Sequence, residues 1–368
     1  MPSGETDGAD SPLLAKLRAR IRRDGPLPVD RYMEACLADP EHGYWLKAAS
    51  IGADGDFITA PEISQVFGEL IGLWCAVVWQ SLACPAPLRL IELGPGRGTL
   101  MRDALRAARG VPGFLEAISV HLVEVSWALR EVQRGVLLGS PSPPNPLSIT
   151  WPETLKDVPE GPAIIIANEF LDALPVRQAV LHDGAWRERV VELDAEGALR
   201  FAIGPAVDMG GVPGAVPKQG DIVEMRPSEG ELLAQIAQRV GPVVALFIDY
   251  GPAEAAIGDT LQAVRRHRYV DPLSAPGAAD LTAHVQFAPL AREAHAAGLA
   301  ADGPMLQAEF LGRLGIAERA ARLMAANPQR AGDIEAAVQR LISPTGMGQL
   351  FKVLAVRTRD LPPPPPFG

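Results

Sequence analysis

The 368-residue sequence holds only three cysteines, Cys36, Cys75 and Cys84. They form no Cys-x-x-Cys pair and no Cys/His set with zinc spacing, so neither a disulfide framework nor a structural metal is expected. Cys75 lies in the apolar run Leu73-Trp74-Cys75-Ala76-Val77-Val78-Trp79, where a small thiol is expected to be buried and inert. No apolar stretch approaches the ~20 residues that a membrane-spanning helix needs, so no membrane insertion is expected. Basic residues are outnumbered, 34 Lys and Arg against 44 Asp and Glu, for a net charge of −10. An acidic chain repels phosphate backbones, which argues against nucleic acid as a partner. The first ten residues carry neither the apolar core of a secretory signal nor the arginines of a transit peptide. A reducing, bacterial cytoplasm is the compartment expected.

What is present fits a large folded chain. Hydrophobic residues make up 48% and charged residues 21%, ordinary globular values. The 36 glycines and 35 prolines imply many turns. Residues 1–11 read as a disordered N-terminus and 12–84 as a helical segment. That segment has short helices around Leu13, Leu17 and Ile21 and around Tyr32, Met33 and Cys36, then a long amphipathic helix over 63–81. Residues 85–358 read as the core, with insertions at about 176–225 and 252–345, and 359–368 as an extended proline-rich tail.

Within the core, continuous apolar runs at 88–93, 120–125, 163–168 and 243–249 predict strands covered on both faces. Helical patterns over 99–108 and 126–138 follow the first two, and strands alternating with helices imply a parallel sheet. Residues 176–225 alternate apolar and polar positions, with turn pairs Asp183-Gly184 and Glu196-Gly197, and predict inserted antiparallel hairpins. Residues 265–288 read as loop-rich, 314–326 and 333–341 as helical, and 348–356 as a last strand.

The strongest local signal is Ile91-Glu92-Leu93-Gly94-Pro95-Gly96-Arg97-Gly98. Glycines between strand and helix let a ligand approach bare amides. The spacing is Gly-x-Gly-x-Gly, not the Gly-x-Gly-x-x-Gly of dinucleotide sites. Glu92 sits two positions before the first glycine, where a cationic ligand end is welcome and a pyrophosphate is not. Glu124, with Val125, ends the next strand and is placed to accept from two ribose hydroxyls. Gly94, Pro95, Gly96 and Gly98 between these acids suit S-adenosyl-L-methionine, which presents an amino acid, a sulfonium and a ribose.

The third strand ends in Asn168-Glu169-Phe170-Leu171-Asp172, so Asn168 and Glu169 would face the same crevice. A carboxylate there anchors a guanidinium bidentately, which makes Glu169 and Asp172 candidate catalytic acids. The segment 55–63 reads as a helix start capped by Thr59 ahead of Pro61-Glu62. It also reads as a flap over the cofactor, with Thr59 and Pro61 touching it. Asp280-Leu281-Thr282-Ala283-His284 puts an acid and a histidine on one loop, so His284 is a third catalytic candidate. Arg265-Arg266-His267-Arg268 is a basic run whose plainest role is a solvated face.

Taken together, Gly43-Tyr44-Trp45, residues 55–69, Glu92 to Leu100, Ala167 to Val176, Asp249-Tyr250-Gly251, Asp280 to Val285 and Met347 to Val353 resemble the MidA-like methyltransferases, along nearly the whole chain. That family includes the mitochondrial complex I assembly factor 7. The resemblance implies a class I, Rossmann-like α/β fold whose seven-stranded sheet is mostly parallel, its last strand antiparallel, with extra N-terminal helices and inserted hairpins. It implies S-adenosyl-L-methionine at Gly94, Gly96 and Gly98, with Glu124 on the ribose. It also implies a protein arginine N-methyltransferase acting on a respiratory complex I subunit or a similar protein, with Glu169 gripping the target guanidinium. Two alternatives stand beside it: an assembly factor that mainly binds its partner, and a small-molecule O- or N-methyltransferase. The sequence assigns no oligomeric state.

Overall fold

The apolar runs become the centre of one seven-stranded sheet. Its strands are β1 (Leu88–Leu93), β2 (Ile118–Val123), β3 (Ile149–Thr150), β4 (Ala163–Asn168), β5 (Val243–Tyr250), β6 (Leu299–Leu306) and β7 (Phe351–Thr358). They lie in the order β3-β2-β1-β4-β5-β7-β6. Neighbours are parallel from β3 to β5, and β7 runs antiparallel to both β5 and β6. The computed structural model describes residues 11–46, 58–139, 147–208 and 216–368. Readings that fall on 1–10, or on Gly55-Asp56-Phe57, lie outside the described residues.

Alternate side chains along each strand feed two cores, as a doubly covered sheet requires. Ile164 and Ile166 on β4 join one cluster with helices α3 (Gln65–Ser81) and α4 (Thr99–Ala108) and with the later helices Ile316–Ala326 and Ala331–Ile342. Ile165 and Ala167 join the other, with the helices Pro227–Gln238 and Phe287–Ala296. The register levels the strand tips: Leu93 of β1 lies opposite both Val123 and Ala167, and Asn168 opposite Ile248. Glu92, Glu124, Glu169 and Asp249 therefore reach one edge of the sheet. Strand order reverses between β1 and β4, the place where α/β sheets open a ligand crevice.

A second sheet caps this edge region. The strands Arg177–His182, Ala185–Leu193, Leu199–Ala206 and Ile222–Met225 form the predicted antiparallel insertion, joined by the two-residue strand Leu27–Pro28. Asp183 and Gly184 both take positive φ, 51° and 75°, the two-residue hairpin turn that an Asp-Gly pair favours. A third cluster packs these strands on the helices α1 (Pro12–Asp24) and α2 (Val29–Ala38).

Residues 265–288 are loop-rich as expected, and the short strands Gln262–Arg265, Arg268–Val270 and Asp280–Thr282 pair there as a small antiparallel sheet. Three local readings are corrected. The long helix starts at Gln65, because Ser64 is extended and caps it by accepting from Val66 N. Thr59 makes no side-chain cap bond. The last strand starts at Phe351 after a helical turn over Met347–Leu350.

The proline-rich tail is likewise docked rather than free. The buried Trp74 indole donates to Pro365 O, Arg313 Nη1 donates to Pro366 O at 3.0 Å, and the Phe367 ring lies 5.9 Å from that of Phe310. Ending the chain at Asp360 leaves the indole N–H without its partner and uncovers apolar surface, at a cost of about 2 kcal/mol. The expected result is a melting temperature lowered by several degrees in circular dichroism. An unchanged melt would show the docking to be inconsequential.

Candidate functional site

The Gly94–Gly98 turn bends the chain from β1 into α4. Gly94, Gly96 and Gly98 all take positive φ, at 62°, 52° and 80°, so the turn needs residues without a Cβ. Gly94 N donates to Val123 O at 3.2 Å, and Gly98 N to Pro95 O at 2.8 Å. Gln133, fully buried on the helix Trp127–Leu138, ties this turn to the tip of β2. Its Nε2 donates to Gly96 O at 2.8 Å and to Glu124 Oε2 at 3.2 Å, and its Oε1 accepts from Trp151 Nε1 at 2.9 Å. Glu124 Oε1 accepts from Ser126 N at 2.8 Å, which fixes the carboxylate facing the crevice.

The remaining acids are buried with capacity to spare. Glu92 Oε2, Asn168 Oδ1 and Asp172 Oδ1 have no hydrogen-bond partner among the described residues. Such atoms are costly to bury and mark a place where a ligand completes the shell. Burial pushes the Glu92 carboxyl up to about 8 and the Glu169 carboxyl up to about 7, because a low dielectric disfavours the charged form. Burial raises Asp172 and Asp249 as well. Glu169 Oε1 accepts from Ala60 N at 2.8 Å and from Asn168 Nδ2 at 3.1 Å. The start of the Thr59–Ile63 turn is thereby pinned over the tip of β4.

Two cavities meet at this edge. The smaller, about 70 Å³, is lined by Thr59, Pro61, Glu92, Gly94, Pro95, Gly96, Asn168 and Glu169, among others. The larger, about 360 Å³, shares Gly94, Gly96 and Glu169 with it and extends past Glu124, Val125 and Asp172. Tyr44, Trp45, Phe170 and Leu232 complete apolar parts of its wall. Six carboxylates line the larger cavity (Glu124, Glu153, Glu169, Asp172, Glu231 and Asp280), and among the described residues no Lys, Arg or His does.

The sequence-predicted residues thus converge, with two exceptions. Gly98 lines neither cavity; it caps α4 and packs on Gln133. His284 lines neither cavity either, and its ring stands edge-on to Tyr250 at 5.4 Å. Three buried polar residues escaped the sequence reading: Gln133, Asp249 and Arg226. Each acts on a loop distant in sequence, and no local spacing announces it. Among the described residues no cluster of His, Cys, Asp and Glu has the makings of a metal site, and no helix is long and apolar enough to cross a membrane.

Comparison with known proteins agrees with this geometry. Residues 70–305 match the family of S-adenosyl-L-methionine-dependent methyltransferases. The zebrafish (Danio rerio) mitochondrial protein arginine methyltransferase NDUFAF7 is 36% identical, over 94% of this chain and 86% of its own length. The human (Homo sapiens) protein of the same name is also 36% identical, over 94% and 83%. A crystal structure of a COG1565 superfamily member from Burkholderia thailandensis, bound to S-adenosyl-homocysteine, superposes with a TM-score of 0.84 at 30% identity, covering 97% of this chain and 96% of that one. The likeness therefore spans nearly the whole chain, and the cofactor of this enzyme is S-adenosyl-L-methionine. The chain belongs to the MidA-like family of S-adenosyl-L-methionine-dependent methyltransferases, together with the NDUFAF7 proteins.

Proposed function

We propose that this methyltransferase modifies an arginine side chain of a protein substrate. The observation that carries this reading is the larger cavity, lined among the described residues by six carboxylates and no Lys, Arg or His, together with an Asp172 oxygen that has no partner among them. A cavity lined by carboxylates favours a cation, and paired carboxylates match the planar, five-donor guanidinium. The protein arginine methyltransferase names of the relatives support the same class. A respiratory complex I subunit is the candidate substrate that the family resemblance implies.

In this reading Glu92 pairs with the amino end of the cofactor and Glu124 takes the ribose. Gly94, Pro95, Gly96, Thr59, Pro61, Val125 and Asn168 wall the space between. The bound cofactor supplies an electrophilic methyl on a sulfonium. Glu169 and Asp172 hold the guanidinium so that one nitrogen points along the line of attack. As the N–C bond forms and the C–S bond breaks, the sulfur keeps the electron pair. The attacking nitrogen gives up one proton, which Glu169 is placed to accept, so the methylated guanidinium keeps a single positive charge. A suitable test supplies labelled S-adenosyl-L-methionine to extract from cells lacking this chain. Label recovered as methylarginine in protein is the expected result; label confined to small molecules would overturn the reading.

The Glu92 assignment predicts a proton count. A carboxyl raised to about 8 holds its proton at pH 7 in the free protein, whereas one against an ammonium does not. Binding of S-adenosyl-homocysteine at pH 7 is therefore expected to release close to one proton. Calorimetry in buffers of different ionisation enthalpy measures it. The release should fade above pH 8 and vanish in Glu92→Gln; release that persists in that variant would remove Glu92 from the ammonium.

A further inference from the structure

Asp249 is the penultimate residue of β5, one strand beyond β4, and is fully buried. It lines neither cavity, yet its carboxylate gathers the loop that does. Oδ2 accepts from Phe170 N at 3.1 Å, Leu171 N at 2.9 Å and Asp172 N at 3.2 Å. Oδ1 accepts from Tyr250 N at 2.9 Å. Three successive amides converge on one oxygen only where the chain curls around it. That curl begins at Glu169, whose φ of +51° is one that a residue with a Cβ adopts only when its surroundings impose it.

The turn is gripped from its carbonyl side as well. The buried Arg226 guanidinium donates to Leu171 O at 2.5 Å and to His284 O at 3.1 Å, and it pairs with Glu229. Ala283 N donates to Asp172 O at 2.9 Å. An anion thus holds the amides of residues 170–172 while a cation holds the carbonyl in their middle. Neither side chain lines the cavities, and apart from the Arg226–Glu229 pair their hydrogen bonds are directed at backbone.

We propose that Asp249 is a positioning residue for methyl transfer: its carboxylate holds the 169–172 turn in the conformation that presents Glu169 and Asp172 to the methyl acceptor. The proposal rests on reading those two acids as the acceptor's anchor. It gives Asp249-Tyr250-Gly251, until here only part of a family resemblance, a physical task.

The test compares Asp249→Asn and Asp249→Ala in the full chain. Hydrogen exchange is followed in the peptide covering residues 168–175, S-adenosyl-homocysteine affinity by calorimetry, and methyl incorporation into extract from cells lacking the chain. Asparagine keeps one oxygen facing the amides but brings an NH₂ group toward Tyr250 N. The expected results are exchange faster by about tenfold or more at 168–175, and a maximal rate lower by about 10²-fold. Homocysteine-cofactor affinity should stay within about threefold, with alanine worse than asparagine on exchange and rate. Unchanged exchange and rate in both variants would overturn the proposal. So would loss of S-adenosyl-homocysteine binding in step with the rate, or an unfolded Asp249→Asn protein, because Asp249 would then serve the whole fold. If the wild-type chain labels something other than arginine, the arginine reading fails by itself; exchange and rate are still compared on whichever acceptor is labelled.

Discussion

Glu169→Gln is expected to lower the maximal rate of methyl transfer by about 10²- to 10³-fold, the loss that follows removal of one preorganised electrostatic contact at a reacting centre. The change is a mild one structurally. Glutamine keeps an oxygen for Ala60 N and Asn168 Nδ2, which Glu169 Oε1 now accepts at 2.8 and 3.1 Å. It also keeps the side-chain volume that closes the junction of the two cavities. What disappears is the charge, and a donor NH₂ then faces the donor groups of a guanidinium. Affinity for S-adenosyl-homocysteine should change by no more than about threefold, because Glu92 and Glu124 remain. The measurement is labelled methyl incorporation at saturating cofactor, beside a calorimetric titration. A rate within threefold of wild type would remove Glu169 from the chemistry and leave Asp172 as the acid to examine.

Much of this arrangement was legible because a parallel sheet writes itself plainly. Ala163–Asn168 and Val243–Tyr250 are buried on both faces, so their apolar runs are unbroken, and their ends fall at one level. Acids at or just past the ends of such runs must share an edge, which is why Glu92, Glu124 and Glu169 can be placed together from the sequence. Leu299–Leu306 escaped for the opposite reason. It is an edge strand holding Asp302, Gly303 and Pro304, bulged between Asp302 and Met305. Its pairing is secured by Arg357, which donates to both Asp302 oxygens, at 2.7 and 3.2 Å. The docking of the tail on Trp74 and Phe310 likewise depends on partners far along the chain, 291 residues apart in the case of Trp74 and Pro365.

The position of His284 away from both cavities has a similar origin. The motif places it four residues after Asp280, which does line the larger cavity, but sequence proximity does not set direction. Its backbone N donates to Thr260 Oγ1 at 2.8 Å and its carbonyl accepts from Arg226, and the ring turns to Tyr250. Thr59 makes no side-chain cap bond, and it lines the smaller cavity. Buried polar keys such as Gln133 and Arg226 leave no periodic trace, since one residue bonding backbone across 37 or 55 positions has no preferred spacing.

Gly94→Val is expected to abolish measurable cofactor binding, with affinity for S-adenosyl-homocysteine falling by more than about 100-fold, some 2.7 kcal/mol. Sequence reasoning expects added carbon to fill the ligand's own space, and the structure locates a different collision. A Cβ at Gly94 would stand 2.8 Å from Phe170 Cδ2, closer than packed carbons approach. Phe170 follows Glu169 and walls the larger cavity, so relieving the clash moves the 169–172 turn as well as the glycine turn. A β-branched residue is also strained at a φ of +62°, a conformation that valine scarcely adopts. Stability should therefore fall too, by about 1–3 kcal/mol. Gly25→Ala separates the two effects. Gly25 has φ +88° with nothing within 4 Å of an added Cβ, at the end of the helix Pro12–Asp24. It should carry the backbone cost alone, lowering the melting temperature while leaving cofactor affinity intact. Gly96→Ala, at φ +52°, should lose affinity with a smaller stability loss than valine at 94, since alanine pays only about 1–2 kcal/mol for the left-handed region. Calorimetric titration that finds wild-type affinity in both the Gly94 and Gly96 variants would mean that the cofactor does not lie against this turn.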